Sequence, residues 1–75
     1  MRKFYVTMGQ NHVHRFKNII VDKDIVVEIE VEDENMARQK AFSLFGLKWS
    51  MIYNAENFGD SIKFFPRGIV NIKDL

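Results

Sequence analysis

The stretch Ile25-Val26-Val27-Glu28-Ile29-Glu30-Val31 alternates apolar and charged residues more cleanly than any other part of the chain. Side chains on an extended backbone point to opposite faces in turn. Ile25, Val27, Ile29 and Val31 therefore share an apolar face, while Val26, Glu28 and Glu30 look outward. Such a strand needs an apolar layer against one side, and the residues that follow supply it. Asp33 is placed to cap a helix, and Glu34 suits the positive end of its dipole. Asn35 to Phe45 carries Ala37, Ala41, Leu44 and Phe45 on one stripe, widened by Phe42. Gly46 fits the left-handed position just beyond the helix.

The remaining elements are shorter. Lys3 to Met8 alternates, with Phe4, Val6 and Met8 on one face and Lys3, Tyr5 and Thr7 on the other. Gly9 breaks that strand, and Val13 to Phe16 forms a short extension or the return arm of a loop. Lys48 to Tyr53 reads as a third strand with Trp49, Met51 and Tyr53 on one face. Asn54 to Asp60 reads as a polar loop and Ser61 to Phe65 as a fourth strand. Pro66 ends that strand because it has no amide to donate. Gly68 to Ile72 is a candidate last strand. This order predicts one α+β domain over residues 1–75: a single antiparallel sheet of about four to five strands with one helix across a face.

The chain has 75 residues and no cysteine. Its core is thin, no disulfide staples it, and no thiolate serves as nucleophile or metal ligand. No stretch approaches the roughly 20 apolar residues of a membrane span, and the N-terminus lacks the apolar run of a signal peptide. A host-cell cytoplasmic location is expected. The net charge of +1 hides an asymmetry. Met1 to Val21 holds Arg2, Lys3, Arg15 and Lys17 with no acid, whereas Asp22 to Glu34 holds seven acids against Lys23. Seven Phe, two Tyr and one Trp exceed what one thin core hides, so a homo-oligomer is expected.

Both histidines fall in Gly9-Gln10-Asn11-His12-Val13-His14-Arg15. Two imidazoles leave a metal shell incomplete, so their expected role is hydrogen bonding to a ligand or to neighbouring backbone. Phe65-Pro66-Arg67-Gly68 fits a type I turn with Arg67 at its tip, a guanidinium available for phosphate or carboxylate. Trp49 and Tyr53 are open to two roles, stacking a base or lining the core against the helix. No serine or threonine lies in a nucleophile motif, and Glu28 and Glu30 resemble a solvated strand face, so catalysis has no positive signal. The P-loop and dinucleotide glycine fingerprints are absent. The near-zero net charge argues against sequence-specific nucleic-acid binding.

Three blocks together resemble a family of short proteins encoded by phages and by integrated elements of bacteria. They are Gly9-Gln10-Asn11-His12-Val13-His14; Ala37-Arg38 with Ala41-Phe42, Phe45-Gly46, Trp49 and Tyr53; and Phe64-Phe65-Pro66-Arg67-Gly68. Met8 departs from the pattern, which often has an aromatic before the glycine. The family has no established activity, so the resemblance implies a phage or mobile-element origin rather than a mechanism. Small phage proteins without enzymatic motifs commonly act on host machinery: some sequester the nucleotide signals of host defence, others inhibit a defence enzyme by contact. The first role needs no cofactor and no turnover. Its expected ligand set is Gln10, His12, His14, Arg15 and Arg67, with Tyr5, Trp49 or Phe65 stacking a base. The alternatives are a contact inhibitor docking a host protein through Glu28 and Glu30, and a small enzyme that degrades a nucleotide.

Overall fold

The computed structural model describes residues 1–75. Its element order is β1 (Arg2–Thr7), β2 (His14–Arg15), β3 (Ile20–Val21), β4 (Val26–Val31), α1 (Glu34–Phe45), β5 (Met51–Asn54), α2 (Ala55–Phe58), a 3₁₀ segment (Gly59–Phe64), β6 (Ile69–Asn71) and a final 3₁₀ turn (Ile72–Asp74). The α+β class holds. The main sheet has the order β5-β1-β4-β6, and β2 and β3 form a separate two-stranded ribbon. The sheet is mixed rather than wholly antiparallel, because β6 joins β4 in parallel.

Alternation in β1 and β4 builds the main core. Phe4 stands opposite Ile29 and Val6 opposite Val27, which sets four apolar side chains on one face. Ile52 of β5 joins them beside Val6. Val21 of β3, with Met8 and Ile25 from the connections, closes the layer, all essentially inaccessible. Helix α1 covers this face through Ala37, Ala41 and Phe45. The two alanines let its backbone approach the sheet, and Phe45 fills the space at its end. Asp33 caps the helix as expected, accepting from the Met36 amide at 2.9 Å. Gly46 ends it at φ +65°, where a side chain would be strained. Phe42 and Leu44 were expected on the buried stripe; both are exposed, because the apolar arc of α1 is narrower than five residues.

The second face of the sheet is also covered, which the alternation of β4 does not announce. Strands β5 and β6 are at opposite edges, so residues 55–68 must cross the sheet to connect them. That crossing is α2 and the 3₁₀ segment. The expected polar loop therefore contains a helix, capped by Asn54 Oδ1 accepting from Asn57 N at 2.7 Å. Of the expected strand Ser61–Phe65, residues 61–64 are 3₁₀ for the same reason: no sheet edge is in reach along the crossing. Phe58 is buried and stacks on Tyr5, with ring centroids 4.6 Å apart. Tyr53 and Phe65 flank it at 6.1 and 6.0 Å. Beneath this cover Val26 is fully buried although it faces away from α1.

Trp49 and Tyr53 do not share a face. Ser50 N–H donates to Thr7 O at 2.8 Å, while Met51 stands in register with the same Thr7. Two residues against one make a bulge, and the extra residue shifts the side-chain phase. Trp49 consequently packs at the edge of the α1 core, while Tyr53 lies on the Phe58 side.

Replacing Phe58 with Ala is expected to lower the unfolding free energy by about 3 kcal/mol or more, as for a core residue. Asp33→Ala should cost about 1 kcal/mol through the lost cap, a fall in Tm of roughly 4–8 °C for a domain of this size. Circular dichroism melts check both.

Candidate functional site

The glycine-opened stretch is fastened to the α1–β5 connection. Gly9 has φ +71°, and a Cβ added there would meet Ser50 Cβ at 3.0 Å, so the close approach requires glycine. His14 Nε2 lies 2.6 Å from Lys48 O. A carbonyl only accepts, so Nε2 carries the proton. The same ring rests on Phe45, with centroids 4.8 Å apart, and Phe16 meets Phe45 edge-on at 6.0 Å. Trp49 Nε1–H donates to Gly46 O at 3.1 Å, and its ring meets Phe42 at 5.3 Å. The first two sequence blocks thus converge on one corner, and several of their residues serve as tie-points of the chain.

Around these tie-points lie side chains with no partner inside the molecule. Gln10 and Arg15 are exposed, and His12 is half-buried; none makes a side-chain hydrogen bond. Lys48 and Phe42 are exposed, and Leu47 is 83% exposed. Residues 9–21 and 35–55 contain no acid, so the two segments that meet here form a cationic and apolar end.

Arg67 does not belong to that corner. Its amide donates to Asp24 O at 3.0 Å, and its Nη1 pairs with Asp22 Oδ1 at 3.2 Å. The turn forms as expected, with Gly68 N–H donating to Phe65 O at 2.9 Å. Its guanidinium is engaged rather than free, and it ties β6 to the β3–β4 connection. Tyr5 and Phe65 are on the far face with Phe58. The expected ligand set is therefore divided: His14 and Trp49 fasten one corner, Gln10, His12 and Arg15 lie on the chain segment that enters it, and Tyr5, Phe65 and Arg67 are elsewhere.

A polar cluster on the far face was not legible as a unit. Tyr5 Oη–H donates to Glu28 Oε2 at 3.2 Å. Asn71 Nδ2–H bridges Glu28 Oε1 and Glu30 Oε1 at 3.3 and 3.4 Å. These carboxylates are half-buried, not a freely solvated face. Only the parallel pairing of β6 brings Asn71 to them, and nothing local in the sequence signals it. Burial, then the negative charge of Glu28, push the Tyr5 phenol above its ordinary 10.0.

No group of three or more His, Asp or Glu side chains is arranged to hold a metal ion. No buried side-chain nitrogen or oxygen lacks a partner. The one concavity is a shallow open groove of about 200 Å³ lined by Arg2, Lys3, Asn54, Ala55 and Glu56. No helix is long and apolar enough to cross a membrane. Comparison with protein-family models, curated proteins and solved structures yields no match.

The folded state holds the Tyr5 proton more tightly than the unfolded chain does. The stability this confers is complete below about pH 10 and is lost as pH rises through the folded-state value. In a Tyr53→Phe background, ultraviolet titration should place Tyr5 ionisation above 10.0. Adding Glu28→Gln should bring it down. For His14, long-range proton–nitrogen spectra should show a proton on Nε2, the nitrogen that faces Lys48 O.

Proposed function

We propose that the protein is a non-catalytic accessory protein that binds and sequesters a small phosphate-bearing, nucleotide-derived ligand at the corner between residues 9–15 and 42–49. One observation carries this reading: two acid-free segments meet there, one carrying Gln10, His12 and Arg15 without side-chain partners, the other the exposed Phe42 against the half-buried Trp49. Arg15 supplies a guanidinium for phosphate, His12 and Gln10 supply hydrogen bonds, and the indole of Trp49 offers a face to a base. His14 contributes by holding the loop to Lys48 rather than by touching the ligand. The resemblance to phage-encoded proteins supports a role in the host cytoplasm against a defence signal.

A second reading, contact inhibition of a host protein, is favoured by the exposure of Leu47 (83%) and Phe42 (47%) at the same corner. The acidic strand is less suited to that role, since Glu28 and Glu30 are occupied by Tyr5 and Asn71.

Incubation with a panel of linear and cyclic nucleotides, followed by heating and chromatography of what is released, separates these readings. Sequestration returns one nucleotide intact. Arg15→Ala should then weaken binding about ten- to hundred-fold, the worth of a charge-assisted hydrogen bond. Arg67→Ala should leave it within about twofold. A degraded product would identify an enzyme. Failure to bind any nucleotide, with capture of a host protein that depends on Phe42 and Leu47, would replace this reading with the second.

A further inference from the structure

All 15 buried residues lie between Phe4 and Phe58. Residues 59–75 add none, and no other stretch of that length lacks one. Phe64, in the middle of the crossing, is 70% exposed, with Lys63 Nζ 5.4 Å from its ring centroid. Apolar contact with the core comes from Val70, Ile72 and Leu75, each only half-buried. The other attachments are polar and few. Val26 N–H donates to Gly68 O at 3.0 Å, and Arg67 N–H donates to Asp24 O at 3.0 Å. The ion pair of Arg67 Nη1 with Asp22 Oδ1 is part-exposed. The bonds from Asn71 Nδ2 to Glu28 and Glu30, at 3.3 and 3.4 Å, are long. Exposed ion pairs contribute little to stability. A region with so few buried contacts opens at a lower free energy than the whole molecule.

We propose that residues 59–75 are a strap that opens as one unit while β1, β4, β5 and α1 stay folded. The hinge is Gly59, directly after the buried Phe58. A Cβ built on it would meet nothing within 4 Å, so no neighbour resists a swing of the backbone there. The latch is the turn at Arg67, whose amide and guanidinium are held by Asp24 O and Asp22 Oδ1. Closed, the strap covers the second face of β4 from Phe65 to Asn71. Open, it withdraws Phe65 from the ring of Phe58 and Gly68 O from the amide of Val26. It also releases Glu28 and Glu30 from Asn71, and the Arg67 guanidinium from Asp22. None of these groups belongs to the corner between residues 9–15 and 42–49, so the inference stands apart from the ligand reading.

Native-state hydrogen exchange of the full chain tests this with two neighbouring amides. Val26 and Val27 are both fully buried, but consecutive strand residues turn their amides to opposite neighbours. The Val26 amide is held by the strap and the Val27 amide by β1. Val26 and Arg67 should share one protection factor, about tenfold or more below that of Val27, and a smaller dependence on denaturant. Asp33→Ala loosens the body but not the strap. It should quicken Val27 about fivefold, the worth of a helix cap, and leave Val26 and Arg67 unchanged. Asp22→Asn removes the charge facing Arg67 but keeps an oxygen for the Asp24 amide, which Asp22 Oδ1 accepts at 3.0 Å. It should quicken Val26 and Arg67 together, by about two- to fivefold. One protection factor common to Val26 and Val27 would overturn the proposal, since the segment would then leave only when everything unfolds. So would equal quickening of both by Asp33→Ala, or unlike responses of Val26 and Arg67 to Asp22→Asn. If a variant failed to fold, the comparison of Val26 with Val27 in the unaltered chain decides alone.

Discussion

Strand β4 is the constraint on which the rest depends. It is interior to the sheet, paired with β1 on one side and β6 on the other. Its alternation gives it two unlike faces, and both require cover. On one face Val27, Ile29 and Val31 demand an apolar layer, which α1 supplies cheaply through two alanines and a phenylalanine. On the other, Val26 is buried beside two glutamates. A cover there must be apolar at one end and polar at the other. The crossing segment and β6 meet that demand in order: Phe58 and Phe65 first, then Asn71 over Glu28 and Glu30.

What was legible in the sequence is what local periodicity encodes. Strand β4, strand β1, the Asp33 cap, the helix and the Gly46 stop all follow from spacing within a few residues. The missed elements depend on distant partners. Residues 61–65 alternate weakly enough to pass for a strand; they are not one because β5 and β6 sit at opposite edges. The phase error at Trp49 comes from one extra residue at Ser50, which no periodicity shows. The parallel pairing of β6 is likewise invisible to composition.

The site shows the same division. Gly9, His14, Phe45, Gly46 and Trp49 were conspicuous as a pattern, and much of that pattern is architecture: a loop clamped to a connection by one imidazole and one indole. A residue that fastens a loop and a residue that meets a ligand look alike in sequence. Only the hydrogen bonds separate His14, which is spent on Lys48 O, from His12 and Arg15, which are not. Arg67 is the clearest case. Its turn was correctly anticipated, yet the tip faces Asp22, an acid 45 residues away in the chain.

The attachment of β6 carries a consequence for how the molecule comes to be folded. Asn71 meets Glu28 across 43 residues of chain, and Arg67 meets Asp22 across 45. Loop closure of that span must precede any reward from the contacts it makes, and pairings of high sequence separation slow the search for the native state. During that interval β1, β4 and α1 can already be assembled, while β4 presents an open edge of Val, Ile and Glu. The chain therefore passes through a stage in which its most strand-prone segment is unguarded. Crowded nascent copies would be most prone to misassociate at that stage.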